Sequence, residues 1–174
     1  AADSIAGSTA HVARLLGLPV LLAVNARSMA RSLAALVKGY AEFEQGVKVI
    51  GVLANGVSSQ SHAAILQRAL EAAGLPPLLA CLPQDDALRI PERNLGLAAG
   101  AEIENADACY AKLADWIERR LDVDALLERI LALRPNAPEK KPVKQPTARM
   151  GVARDKAFHF YYEDNFELLR AAGV

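Results

Sequence analysis

Basic residues do not outnumber acidic ones in this chain: 20 Lys and Arg face 20 Asp and Glu, so the formal net charge at pH 7 is zero. No Lys/Arg stripe interleaved with aromatics is present either, so the electrostatic footprint of nucleic-acid binding is missing and no nucleic-acid partner is expected. The longest apolar run, Leu15 to Val24, is broken by Gly17 and Pro19 and covers about half of the roughly 20 residues that span a bilayer. No membrane partner is expected. The first residues, Ala1-Ala2-Asp3-Ser4, carry neither the basic region nor the apolar core of a secretion signal, which makes a reducing cytoplasm the expected location. Cysteine is scarce: Cys81 and Cys109 lack CxxC spacing and a neighbouring base, and are read as buried thiols. The phosphate-cradling GxxxxGK[ST] loop is absent, and Gly7-Ser8-Thr9 is too short to replace it. His11, His62 and His159 have no metal-ligand spacing and read as helix-surface or loop histidines; no Ser-His-Asp set can be assembled. No metal site and no catalytic residue is assigned within this span.

What is present is an apolar, Ala/Leu-rich chain of 174 residues, 52% hydrophobic, enough for one core or for one domain and part of another. Ser8-Thr9 caps a predicted helix to Leu16, with Val12, Leu15 and Leu16 on one face and Gly17 closing it. The run from Pro19 to Val24 is continuously apolar rather than alternating, as in a parallel strand buried on both faces. A second helix is expected from Met29 to Phe43 with Leu33, Leu36, Val37 and Tyr40 at helical spacing, then a strand from Val47 to Ala54. A third helix, Ser59 to Ala73, turns Ile65, Leu66 and Leu70 inward and precedes a strand from Pro77 to Leu82. Three strands joined by helical crossovers predict a parallel α/β sheet with flanking helices.

After Pro83 the periodicity lapses, and 84–100 reads as an ordered loop over the sheet edge. Two amphipathic helices follow, Ala106 to Arg119 with Trp116 toward the core, and Asp122 to Leu133. A charged stretch with Pro135, Pro138, Pro142 and Pro146 then reads as a linker over 134–147, separating residues 1–133 from 148–174. Beyond it, Met150 to Ala153 is expected to form a strand and Asn165 to Ala172 a helix. Five of the eight Phe and Tyr residues fall within nine positions here, Phe158, Phe160, Tyr161, Tyr162 and Phe166, either as a core plug or as part of a signature running from Arg154 to Asn165.

Open parallel sheets bind ligands beyond the carboxyl ends of their strands. Three polar stretches occupy those places: Asn25-Ala26-Arg27-Ser28, Asn55-Gly56-Val57-Ser58 and Pro83-Gln84-Asp85-Asp86. An Asn carboxamide offers one acceptor and one donor group, a match for the edge of an adenine ring. Asn25 and Asn55 serve equally well as turn residues, and Asn55-Gly56 is a favoured turn pair.

Several stretches together resemble one family. They are Gly7-Ser8-Thr9-Ala10-His11-Val12-Ala13 before Pro19, Asn25-Ala26-Arg27-Ser28-Met29-Ala30, Gly51-Val52-Leu53-Ala54-Asn55-Gly56-Val57, Leu82-Pro83, Pro91-Glu92-Arg93-Asn94-Leu95-Gly96-Leu97, and Val152-Ala153-Arg154-Asp155 through Asn165. Collinear over nearly the whole chain, they resemble the cobyrinic acid a,c-diamide synthases, glutamine-dependent amidases of cobalamin biosynthesis. The resemblance implies an incomplete ATPase domain like that of dethiobiotin synthetase over 1–133. It implies the first strand and helix of a class I glutamine-amidotransferase-like domain over 148–174. The implied reaction uses ATP and magnesium to activate the a and c carboxylates of a corrinoid, and ammonia from glutamine to make each amide. Corrinoid and glutamine are the implied substrates, and a homodimer is a possible assembly.

Carried over by position, Asn55 is expected to contact adenine, Pro83 and Asp85 to flank the base, and Asn25 to stand near the nucleotide. Arg93 and Asn94 are expected near ATP or corrinoid, while Asp155, Tyr161, Tyr162 and Asn165 open the second domain. The chain departs from the family where Asn25 replaces Asp, Gly56 replaces Arg and Asn94 replaces His, and the first departure removes a charge expected to handle magnesium or phosphate. The resemblance places the P-loop before Ala1 and the glutaminase Cys after Val174, so the chain is expected to be an internal piece, inactive alone. Part of the aromatic cluster's packing surface is then expected to be exposed or disordered. The alternatives are another corrinoid amidase, such as cobyric acid synthase, and a non-catalytic α/β module that binds a partner through its open sheet edge.

Overall fold

The computed structural model describes residues 4–89, 105–133, 145–155, 158 and 160–174. Two compact units divide the chain, Ala1–Pro135 and Asn136–Val174. In the first, helix α1 (Thr9–Leu16) begins where the Ser8 side chain accepts from the His11 N–H, and ends at Gly17 in the left-handed region, φ 61°. Strand β1 (Val20–Asn25), helix α2 (Arg31–Glu42), strand β2 (Val49–Asn55), helix α3 (Gln60–Ala72) and strand β3 (Leu78–Leu82) follow in strict alternation. Ser59 caps α3 as Ser8 caps α1, accepting from the His62 N–H.

The strands form one parallel sheet in the order β1-β2-β3. Sequential parallel strands joined by crossovers of one hand put both connecting helices on the same face. The core follows that rule. Val24, Val52 and Ala54 project from the sheet into one cluster with Leu33, Ala34 and Val37 of α2 and Leu66 and Leu70 of α3. Leu33, Val37, Val52 and Leu66 have no accessible surface at all.

Apolar periodicity marks a face, but coverage needs a neighbour, and this corrects several expectations. Burial is concentrated on the α2–α3 face, and Ala23 of β1 is exposed, so β1 is not buried on both faces. Val12, Leu15 and Leu16 are 49%, 71% and 54% exposed because α1 buries only Ala13. Tyr40 and Ile65 are likewise exposed, beside the fully buried Val37 and Leu66.

After β3, a single 3-10 turn (Asp86–Leu88) is capped by Asp85, whose Oδ1 accepts from the Ala87 N–H at 3.1 Å. Residues 90–104, including most of the expected loop, lie outside the described residues. Helix α4 (Ala106–Glu118) contacts the 3-10 turn, and α5 (Val123–Leu131) is capped by Asp122 and sends Arg129 Nη1 to the Ile50 carbonyl at 3.1 Å. Trp116 is half-buried and is not part of the core cluster.

In the second unit, residues 134–144 of the expected linker lie outside the described residues, and Gln145, Pro146 and Thr147 are exposed without regular structure. Helix α6 (Glu163–Ala172) forms, but the expected strand from Met150 to Ala153 does not. A strand is held by its ladder, and among the described residues of this unit no second strand supplies one. Instead Thr147 and Ala148 donate backbone N–H groups to the Gly173 carbonyl, tying this segment to the end of α6.

Emptying the α2–α3–sheet contact should be costly. Leu66→Ala should destabilise the protein by about 2–5 kcal/mol, the range for truncating a fully buried leucine, measured by urea unfolding. The exposed Leu15→Ala should change stability by roughly 0.5 kcal/mol or less.

Candidate functional site

Parallel pairing brings the strand-end residues together. Asn25 is the register partner of Asn55, and Asn55 that of Leu82, so the two carboxamide residues stand on adjacent strands at the carboxyl edge of the sheet. The ladder runs slightly past them: the Ala26 N–H donates to the Asn55 carbonyl at 2.7 Å, and the Gly56 N–H to the Leu82 carbonyl at 2.7 Å. Asn25 Oδ1 accepts from the Arg27 N–H at 3.2 Å, a local turn that fixes the start of the β1–α2 loop. Asn55 Oδ1 accepts from the Gly56 N–H at 2.9 Å. The Asn55 Nδ2 group has no protein acceptor among the described residues, and the residue is exposed. Turn and ligand roles are therefore compatible in one side chain: Oδ1 closes the turn and the amide donor is available.

Gly56 adopts φ +74°, and a Cβ there would lie 3.2 Å from Asn25 Oδ1 and 3.4 Å from the Arg27 Cβ. Any side chain would both strain the backbone and press on the Asn25 carboxamide. The departure that places glycine here thus suits the close packing of the β1 and β2 ends.

Cavities open on both sides of this pair of loops. One, about 550 Å³, is lined by Asn55, Pro83, Asp85, Leu88, Leu113 and Trp116 among others. The other, about 370 Å³, is lined by Arg27, Ser28, Met29, Gly56, Ser58 and His62. Both volumes lie within or near the roughly 300–1,000 Å³ of small-molecule sites. His62 is more than a surface histidine. Its Nε2 lies 2.8 Å from the Met29 carbonyl, and its Nδ1 lies 3.3 Å from Ser58 Oγ, so the ring clips the β1–α2 loop to the start of α3.

Of the positions singled out for the nucleotide, Asn55, Pro83 and Asp85 share the larger cavity, and Asn25 lies beside Asn55 without lining it. Arg93 and Asn94 lie outside the described residues. In the second unit, Asp155 Oδ1 accepts from the Phe158 N–H at 2.8 Å, and Tyr161 Oη donates to the Ala153 carbonyl at 2.7 Å. Tyr162 precedes α6, its ring edge-on to Phe160 at 5.5 Å, and the Asn165 N–H donates to the Tyr162 carbonyl. Phe160 and Tyr162 are 76% and 64% exposed, so the aromatic cluster is not a core plug. Leu88, Leu113 and Trp116 were not foreseen as cavity residues; the only sequence signal was that Trp116 is the sole tryptophan.

Among the described residues no cluster of three His, Cys, Asp or Glu could hold a metal ion, and Asn25, the position expected to handle magnesium, already has Oδ1 engaged by Arg27. Cys81 and Cys109 are unbonded and half-buried rather than fully buried, and burial pushes the Cys81 thiol above its ordinary range. Among the described residues no helix is long and apolar enough to cross a membrane.

The sequence is similar to several curated proteins. One is a cobyrinate a,c-diamide synthase of Syntrophotalea carbinolica, 45% identical over 172 residues, covering 97% of this chain and 38% of the relative. Another, from Limosilactobacillus reuteri and of the same name, is 36% identical over 99% of this chain. A hydrogenobyrinate a,c-diamide synthase of Brucella anthropi is 41% identical over 97% of it. The chain spans about 38% of the length of the first two of these relatives. No protein-family model matches the sequence, and no solved structure matches it.

Two outcomes follow from this geometry. Gly56→Ala should destabilise the protein by about 1–2 kcal/mol through its left-handed backbone, read by thermal melting. Cys81 has a raised folded-state pKa, so its contribution to stability is intact below the ordinary thiol range and declines as pH rises through it, because the unfolded chain releases the proton first. Melting temperature should therefore fall between neutral pH and pH ~10 more in the native protein than in Cys81→Ala; equal falls would contradict the assignment.

Proposed function

Because this chain belongs to the cobyrinate and hydrogenobyrinate a,c-diamide synthase family along the 97% of its length that aligns, we propose that it supplies the base side of the nucleotide site in a carbon–nitrogen ligase of cobalamin biosynthesis. The proposed reaction is ATP- and glutamine-dependent amidation of the a and c carboxylates of cobyrinic or hydrogenobyrinic acid. The observation that carries this reading is the match to synthases of that name at 36–45% identity. The grouping of Asn55, Pro83 and Asp85 around one cavity at the carboxyl edge of the sheet supports it.

A carboxylate is a poor electrophile, and when ATP is bound it supplies the phosphoryl group that turns a carboxylate oxygen into a leaving group. The residues of this chain then have binding and positioning work. Asn55 Nδ2 donates to a ring nitrogen of the base, and the second lone pair of Oδ1 accepts from its exocyclic amine, the two-point pattern by which Asn matches adenine. Pro83 offers an apolar surface to the ring, and the Asp85 carboxylate, held by the Ala87 N–H, flanks it. Asn25 and Gly56 hold the β1 and β2 ends in register. Arg93 and Asn94 are proposed near the substrate. Asp155, Tyr161, Tyr162 and Asn165 are proposed to open the glutaminase side. Magnesium is the proposed companion of ATP, and no residue of this chain is assigned to hold it.

The intact protein that carries this chain tests the proposal. With a cobyrinic acid substrate, Asn55→Ala should weaken ATP binding about tenfold or more, consistent with ~1–3 kcal/mol for a lost directional hydrogen bond, and leave corrinoid affinity unchanged. Absence of corrinoid-dependent ATP turnover by the intact protein would contradict the function itself.

A further inference from the structure

We infer that Trp116 forms part of the wall that receives the nucleotide's base. This rests on the nucleotide reading above and adds to it a residue from a helix outside the sheet. Leu113 and Trp116 are three residues apart on α4 and therefore neighbours on one helical face. That face is not spent on the core: no residue of α4 is fully buried, and neither side chain belongs to the core cluster. Both line the cavity that holds Asn55, Pro83 and Asp85.

The surroundings of the indole favour a flat ring. The Arg120 guanidinium carbon lies 4.5 Å from the indole centroid, and its Nη1 donates to the Trp116 carbonyl at 2.7 Å, so the ring is held from one side. The indole Nε1–H is buried and has no acceptor among the described residues. The rest of the lining separates the two ends of a nucleotide. Asp85 and Asp86 against the single cation Arg89 repel phosphate groups but accept from an exocyclic amine. The cavity therefore takes the base, with the phosphates directed elsewhere.

Two measurements on the intact protein decide the matter, and the first needs no variant. In oxidative footprinting read by peptide mass spectrometry, ATP should protect Trp116 strongly, whereas inorganic tripolyphosphate, which has no base, should not. In calorimetric titration, Trp116→Leu should weaken ATP binding about tenfold, as loss of one base–aromatic contact does, and Trp116→Phe should restore most of it. If ATP binds but Trp116 labelling is unchanged, or if tripolyphosphate protects as well as ATP, the inference is overturned while the nucleotide reading stands. If the intact protein binds no ATP at all, both fall. Should Trp116→Leu fail to fold, the footprint alone decides.

Discussion

The parallel register of β1 with β2 is the constraint on which the rest depends. Pairing Asn25 with Asn55 fixes where both strands end, and the bond from the Ala26 N–H to the Asn55 carbonyl carries the ladder to the point where the loops begin. A slip of β1 by one residue would turn Val24 away from α2 and α3 while Val52 and Ala54 kept their facing, opening the core and separating the strand-end side chains together. Core and candidate site are thus specified by the same pairing. Stability comes from one face of the sheet, and the candidate site lies at its carboxyl edge.

The two Asn residues contribute no charge, and the carboxylates of Asp85 and Asp86 belong to the turn after β3, where Asp85 caps the Ala87 N–H and Asp86 accepts from Gln84 Nε2. Directional donors and acceptors flanked by two carboxylates suit recognition of a ring edge better than stabilisation of a transferring phosphoryl group. On the proposed reading, the base is recognised here and the charged end of the nucleotide by other parts of the protein.

Much of the fold was legible because punctuation and periodicity agreed. Gly17 and Gly74 take positive φ, Pro19 and Pro77 precede strands, and Ser8 and Ser59 cap helices, so each element lies within a residue or two of its expected place. Coverage was not legible. The stripe Val12–Leu15–Leu16 and the ring of Tyr40 have the spacing of a buried face, yet burial depends on a neighbour that local sequence does not specify. Met150 to Ala153 failed as a strand for the same reason: four apolar or small residues propose an extended segment, and only a partner makes it a strand. At the candidate site, the grouping of Asn55, Pro83 and Asp85 could be read from strand ends, whereas Trp116 reaches the cavity from a helix more than 60 positions after Asn55. That distance is bridged by tertiary packing alone.

The central claim is that the cavity between β2, the turn after β3 and α4 receives an adenine base. A crystal structure of the intact protein with a non-hydrolysable ATP analogue tests it most directly. The account predicts the base between Pro83 and Trp116, with Asn55 Nδ2 within about 2.7–3.2 Å of a ring nitrogen. A bound analogue whose base lies elsewhere, with Asn55 untouched, would contradict it.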